Sequence, residues 1–317
     1  MNDFTEFHDE LRSVAGDLLA KERNVGWPTL IDAGWVGLEV PEQFGGAGAS
    51  FAEVAVVCEE IGRAAGATDF LGSAVLAVGA LNALQPSDTR DTLLTEIASG
   101  AIRVAVALEP FDFVPDAEGA DRILIVTDRG VAVSEQRATP RPVVDETRNL
   151  AAIDPAAAIA ETLPFTDDPA VAVQRLHDRA AAAIACDSLG LSEAMLAATV
   201  GYVKVRQQFG RAIGSFQAVK HACADMLVSI SVSRQLVDAA VRAVAEDAPE
   251  AGAAVSMAKS YTCAAAVDIA GKAMQLHGGI GYTWESGIHV YLKRATLNRS
   301  LFGSPSAHRE RLAQRYL

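Results

Sequence analysis

From residue 168 onward the chain is written in helix period, with long runs and short stops. Asp168-Pro169 sets a capping carboxylate before a first-turn proline, a standard helix opening. The Ala-rich run that follows is expected to stay helical to about Phe209 and to stop at Gly210. The next helix is predicted from about Ser215 to Glu246. Phe216, Val219, Cys223, Met226 and Ile230 recur three or four apart and make its buried stripe. Asp247-Ala248-Pro249 ends it, and a third long helix reaches about Leu276 before Gly278-Gly279. Shorter helices are expected over about 286–300 and 305–316. Helices this long with connections this short bury their apolar stripes only against one another, as an antiparallel bundle.

The preceding chain divides in two. Residues 1–100 also read as helical. Ser50-Phe51-Ala52-Glu53 has the form of a capping box, in which the Ser caps an amide and the Glu reaches back. The helix it opens carries Val54, Val57, Cys58 and Ile61 on one face and runs toward Gly62. The Gly-rich Pro41–Gly48 lacks the Lys-Ser/Thr of a phosphate-binding loop and reads as a tight turn between helices. Residues 101–168 change character: 103–108 and 122–127 are β-rich, and Asp128-Arg129-Gly130 turns into a third such run at 131–133. Prolines at 110, 115, 140, 142 and 155 break up the remainder. The expected architecture is mainly α: a helical unit over 1–100, a reduced β module over 101–168 and a helix bundle over 169–317.

Composition narrows the function. The chain has 317 residues, half of them hydrophobic, which is ample for a large core. Its formal charge is −13 and no basic cluster appears, which argues against nucleic acid as a partner. The N-terminus is polar and acidic, unlike a signal peptide. Asp187 and Glu193 break the apolar stretches before they reach spanning length, so a cytoplasmic protein without a membrane segment is expected. Cys58, Cys186, Cys223 and Cys263 are far apart in apolar helical settings, as small core residues in a reducing compartment would be. The six histidines show no metal spacing, and there is no Gly-x-Ser-x-Gly elbow, so no metal site and no hydrolase is read.

Arg206, Phe209 and Gln217 stand out in the first connection between long helices. On the expected helix, Arg206 and Phe209 share a face and reach one ligand. An Arg fork suits a phosphate, and a Phe ring suits an adenine face. Gln217 opens the next helix, where free amides also favour an anion. Spacing alone equally admits a solvated Arg, a core Phe and a surface Gln.

Over most of its length the sequence resembles the acyl-CoA dehydrogenase family. The resemblance lies in Leu30–Leu38, Val40–Gly46, Glu59–Arg63, Arg206–Gln217, Ala224–Met226 and Gln275–Tyr282, in that order. It implies a helical domain, a β domain and a four-helix bundle, with FAD bound between subunits. The implied reaction is α,β-oxidation of an acyl-CoA thioester: a carboxylate removes the α-proton as hydride passes to the flavin. The Arg-x-x-Phe-Gly and Gln-x-x-Gly-Gly segments of the family reach the FAD of a neighbouring subunit. Carried over, Arg206 meets the pyrophosphate, and Phe209 and Ile213 line the adenosine. Gln217, Gln275, Gly278 and Gly279 complete that edge. His277 is the one histidine placed near the cofactor, and even there an interaction with the dipole at the helix C-terminus is the first reading of its role.

Two departures qualify the resemblance. Aligning Lys293-Arg294-Ala295 with the family's Arg-Asp-Ala puts Phe302 where the catalytic Glu belongs. The family's alternative base position, counted back from Gly190, is Ala180. Neither residue takes a proton, which general-base catalysis requires. Asp178 and Asp187 lie nearby as candidate substitutes, Asp187 more simply as a polar position on an Ala-rich helix. The middle module is also short, and Trp27, Trp35 and Trp284 all lie outside it. The resemblance is therefore to the short subunit of actinobacterial α2β2 acyl-CoA dehydrogenases of steroid (cholesterol) catabolism. There a full-length subunit supplies the catalytic Glu and most of the FAD and acyl-CoA contacts. A self-sufficient dehydrogenase with a relocated base, and a scaffold that touches no flavin, remain the alternatives.

Overall fold

The computed structural model describes residues 5–157 and 159–315; Met1–Phe4, Ala158, Tyr316 and Leu317 lie outside them, and with Tyr316 the end of the last expected helix. The first segment holds α1 (Thr5–Lys21), α2 (Trp27–Asp32), α3 (Phe51–Ala64), α4 (Val78–Asn82) and α5 (Asp88–Ala98). α3 opens with the expected capping box: Ser50 Oγ accepts the Ala52 amide at 3.1 Å, and Glu53 Oε2 accepts the Ser50 amide at 2.7 Å. Pro41–Gly48 is a turn built around a short 3₁₀ segment, Glu42–Phe44.

The β module has two small sheets. In the first, β1 (Val104–Ala107) runs parallel to β3 (Arg122–Thr127), followed by antiparallel β4 (Gly130–Ser134) and β7 (Ile159–Leu163). In the second, β2 (Val114–Pro115), β6 (Leu150–Ala152) and β5 (Thr139–Arg141) are antiparallel. Period-2 alternation assigns the faces of the first sheet. Val104, Val106, Leu124 and Val126 join the large core shared with the helices. Ala105, Ala107, Ile123 and Ile125 close a smaller core against the second sheet.

The last segment is the bundle: α6 (Pro169–Val205), α7 (Gln217–Ala245), α8 (Ala251–His277), α9 (Ile288–Ser300) and α10 (Pro305–Gln314). α6 is also long and apolar enough to span a membrane, contrary to the interruption expected from Asp187 and Glu193. Its apolar window is 78% buried inside the protein, as in a central core helix. α3 crosses α6 with the two backbones in contact. A Cβ on Gly62 would meet Asp187 O, and one on Gly190 would meet Glu59 O, each at 1.9 Å, so only glycine fits either position. Cys58, Cys186 and Cys263 are buried and Cys223 is half-buried; all four are free thiols. In the stripe of α7, Met226 and Ile230 are buried, whereas Phe216, Val219 and Cys223 are only half-buried.

One expectation fails at the end of α6. The helix stops at Val205, not at Phe209, and a hairpin follows, with Gln207-Gln208 (β8) pairing Arg211-Ala212 (β9). Phe209 (φ 52°) and Gly210 (φ 77°) are its two turn residues, the left-handed pair that a type I′ turn needs. Arg206 and Phe209 therefore do not share a helical face. The Phe-Gly dipeptide set the turn, where helix periodicity suggested continuation.

Asp187 is likewise no mere polar position. It is buried and accepts from Arg294 (Nη2 at 2.6 Å, Nε at 3.0 Å) and Asn298 Nδ2 (2.7 Å), and it forms an ion pair with Arg148 Nη2 at 3.0 Å. Burial pushes its pKa up, but the Arg294 and Arg148 guanidiniums outweigh that and hold it below the usual carboxylate range. Replacing Arg294 by Met leaves a buried carboxylate short of its main partner. The expected loss is about 3–5 kcal/mol in urea unfolding at neutral pH.

Asp116 behaves oppositely. It is buried and accepts the Gly72 amide at 2.6 Å, and burial, with Asp69 adding, pushes its pKa up to about 7. A raised folded pKa means stability is fully present below the unfolded carboxyl value and is lost as pH rises toward 7. Asp116→Asn is expected to unfold at a higher temperature than the parent at pH 8, with the difference shrinking steadily as pH falls toward 4. A melting series across that range checks the sign.

Candidate functional site

Three helix ends meet at one end of the bundle. α6 arrives, α7 departs and α8 arrives, because the three run antiparallel through short connections. Tyr202 on α6 stacks on His277 of α8, with ring centroids 4.5 Å apart and planes at 21°. The Nδ1 of His277 faces Ala273 O at 2.8 Å; since a carbonyl only accepts, that nitrogen carries the proton. His277 closes the last turn of α8 and is buried, so it is a strut between helix ends. That is the helix-end position expected for it.

The strut brings the 206–217 and 275–279 segments into one neighbourhood. Arg206 is exposed, and its guanidinium has no hydrogen bond or ion pair among the described residues. Phe209 is 91% exposed and meets Phe216 edge to face at 6.1 Å. Arg211 lies over the Phe216 ring at 4.1 Å. It adds a second guanidinium beside Arg206 that sequence reasoning left aside, although it sits within the same motif. Gln217 is the first residue of α7, and no side chain caps that helix start. Ile213 is half-buried at the foot of the hairpin. Gln275 is exposed near the end of α8. A Cβ built on Gly278 or Gly279 would meet nothing within 4 Å, so the backbone there is open. The exposed ensemble is two guanidiniums, an uncapped helix start, an unsupported aromatic ring and bare backbone. That set fits an anionic pyrophosphate with an aromatic base attached. It forms one edge of a site and no enclosure.

The second feature is a cleft of about 700 Å³ between the β module and the bundle, with Phe302 in its wall. Phe302 (φ 52°) and Gly303 (φ 99°) make a left-handed turn between α9 and α10. His308 Nε2 lies 3.0 Å from Phe302 O and so donates to it, while Lys259 Nζ donates to Gly303 O at 2.8 Å and to Asn298 O at 3.0 Å. Lys259 is wholly buried, and burial lowers its pKa.

Neither candidate base is free. Asp178 lines the cleft, but Arg311 engages both its oxygens (Nη2 to Oδ2 at 2.9 Å, with Nη1 on Oδ1), and Gln174 adds a bond at 3.3 Å. Asp187 is locked in its own buried cluster. Ala180 does not reach the cleft: it lies in the bundle core at 0% exposure. Two residues along a helix turn the side chain by about 200°, so when Asp178 faces the cleft Ala180 faces away.

Comparison with known proteins places the fold in a family. The family description "Acyl-CoA dehydrogenase, N-terminal domain" matches residues 5–101, and "Acyl-CoA dehydrogenase, C-terminal domain" matches 170–317. The acyl-CoA dehydrogenase IpdE2 of Mycobacterium tuberculosis is 37% identical across 88% of this chain and 82% of its own length. Among solved structures, the Tcur3481-Tcur3483 steroid ACAD superposes with a TM-score of 0.87 at 25% identity, covering 98% of both chains. The ChsE4-ChsE5 complex of Mycobacterium tuberculosis gives 0.86 at 23% identity, covering 98% of this chain and 96% of its own, and so shares the fold. The chain belongs to the acyl-CoA dehydrogenase family.

Proposed function

We propose that this chain is the accessory subunit of a heteromeric, FAD-dependent acyl-CoA dehydrogenase. It lends one edge of the FAD site, and a full-length partner supplies the catalytic carboxylate and most of the acyl-CoA contacts. The observation that carries the reading is a contrast. The bundle-end donors stand exposed, whereas the family's base positions hold Phe302 and Ala180 and Arg311 engages both oxygens of Asp178; the carboxylate left unpaired in the cleft lining, among the described residues, is Glu109. FAD, when bound, supplies the hydride acceptor. This chain's part is to bind and orient: Arg206 and Arg211 offer charge to the pyrophosphate, Phe209 and Ile213 offer apolar contact to the adenosine, and Gln217, Gln275, Gly278 and Gly279 offer polar backbone and side-chain edges. An α2β2 assembly, the division at 100 and 168, a reduced middle module that cannot enclose its own flavin, and a cytoplasmic setting belong to the same proposal. A bulky, steroid-derived acyl group is included on the strength of one solved neighbour, the Tcur3481-Tcur3483 steroid ACAD.

The exposed apolar surface fits such an assembly. Leu227, Val228 and Val232 on α7 and Ile280, Tyr282 and Trp284 after α8 are all more than a third exposed. Runs of this kind on a bundle surface mark a partner interface.

The chain purified alone is expected to be colourless and inactive on acyl-CoA. Co-expressed with a full-length family member, it should yield a yellow complex. Arg206→Ala within that complex should weaken FAD binding roughly 10- to 100-fold, the worth of charge-assisted bonds to a phosphate. Stoichiometric flavin and turnover in the lone chain would show a self-sufficient enzyme. Unchanged flavin affinity in the Arg206→Ala complex would show a scaffold that never touches the cofactor.

A further inference from the structure

The junction at Asp187 leaves one donor over. Arg148 of the β module sends Nη2 to Asp187 Oδ2 at 3.0 Å, and its side chain is only 9% exposed. Its Nε is buried and has no hydrogen-bond partner among the described residues. Burial, with the Arg294 guanidinium adding, pulls the Arg148 pKa down, while Asp187 and Asp145 oppose. A buried donor without a partner is uncommon in folded proteins, because it forfeits the bond it makes to water in the unfolded chain.

The direction of that donor follows from the shape of the group. Nε–H and one Nη2–H lie along a single edge of the planar fork and point the same way. Arg294 uses this edge in full, with both nitrogens on Asp187. Arg148 places only Nη2 on the carboxylate, so its Nε–H points alongside it.

A small recess lies at this place. Its volume is about 20 Å³, and Arg148, Asp187 and Thr68 stand in its wall with Cys58, Ile61 and Ala183. One water fills roughly 10–15 Å³ by this measure, so the recess takes a single small body and no organic ligand. A purely apolar void of this size stays dry, but here three polar groups share the wall. The Thr68 hydroxyl accepts the Phe70 amide at 3.3 Å and keeps its own proton to give.

The chemistry of the wall selects the occupant. It must accept from Arg148 Nε while lying beside the Asp187 carboxylate. An anion accepts, but Asp187 repels it, and the charges of Arg148 and Arg294 are already offset by Asp187 and Asp145. A cation cannot accept from Nε. A neutral molecule that both accepts and donates satisfies all three groups.

We propose that this recess is a binding site for one resident water, which accepts from Arg148 Nε and is shared with Thr68 and Asp187. Those residues come from the N-terminal helical segment, the β module and the bundle, so the water joins all three segments where the ion pairs do. The site shares no residue with the candidate flavin edge or with the cleft at Phe302, so it stands apart from the proposed function.

The test is a crystal structure of the full chain, with a second crystal soaked in bromide. One density peak at roughly 2.7–3.2 Å from Arg148 Nε is expected, with no anomalous bromide signal there. In solution, magnetic relaxation dispersion of the water oxygen signal counts the waters that reside long in the protein. Ala183→Val adds methyl groups to the recess wall. It should lower that count by one while the circular dichroism stays that of the parent. The parent crystals decide the matter should this variant fail to fold. The proposal is overturned if no peak stands at Nε, if bromide gives an anomalous peak there, or if the folded Val variant keeps the parent's count.

Discussion

The fold depends on one buried carboxylate. Asp187 of α6 sits where the three segments of the chain meet, and its partners come from each side. Arg294 arrives from α9, Arg148 from the β module, and the Nη1 of Arg294 continues to Gly66 O after α3 at 2.9 Å and to Thr147 Oγ1 at 2.6 Å. A single guanidinium thus touches all three segments. An isolated ion at this depth would cost several kcal/mol. The cluster is tolerated because Asp145, also buried, brings the charge near Arg148 and Arg294 to balance. Such a junction specifies relative placement more than it adds net stability, since apolar replacements would bury as much area without fixing direction.

A second network repeats the device across α3, α6 and α7. Glu59 accepts from Arg234 at 2.7 Å through both nitrogens and from Arg63 at 3.1 Å, and Glu193 completes the ring of charges. α7 is thereby pinned by its inner face to the rest of the molecule. Its outer face keeps Leu227 and Val228 in solvent. A helix anchored by half-buried ion pairs on one side and apolar on the other is prepared for a second surface, and its first turn opens at the bundle end that carries the candidate site.

Much of this was legible in the sequence where a local signal decided the structure. The Ser50–Glu53 box, Asp168-Pro169, Asp247–Pro249 and the Gly278-Gly279 stop each act through a few neighbouring residues, and each works as read. The failures were of two kinds. At Phe209-Gly210, a hairpin competed with helix continuation, and periodicity carried no information about a two-residue turn. At Asp187, Lys259 and Asp178, the function of the side chain depends on partners more than a hundred residues away, or tens of residues away for Lys259. An acidic residue in an Ala-rich helix looks the same in sequence whether it meets water or an arginine from the far end of the chain. The candidate flavin-edge residues were proposed because the family motif groups them, and the fold brings their two segments to one end of the bundle. The clamp on Phe302 was not, because Lys259 lies in an unremarkable helical run.

The two left-handed phenylalanines express the contrast in function. Phe209 takes its strained backbone in an exposed hairpin, where little in this chain besides Phe216 supports the ring. Phe302 takes the same conformation in a turn held by two buried donors, with its ring in a cleft wall. Strain of this kind costs on the order of 1–3 kcal/mol, so each turn must be offset by its surroundings. For Phe302 the offset is internal and the turn is fixed in the lone chain. For Phe209 the support among the described residues is the pairing of β8 with β9 and the edge of Phe216, and contact with a second body would supply the rest. A bulky aromatic left in solvent on a two-residue turn is poorly placed for a monomer and well placed for a ring that becomes buried on assembly. The physical cost of the conformation therefore sets the two turns apart: that of Phe302 is clamped by buried donors within the chain, and that of Phe209 leaves its ring in solvent.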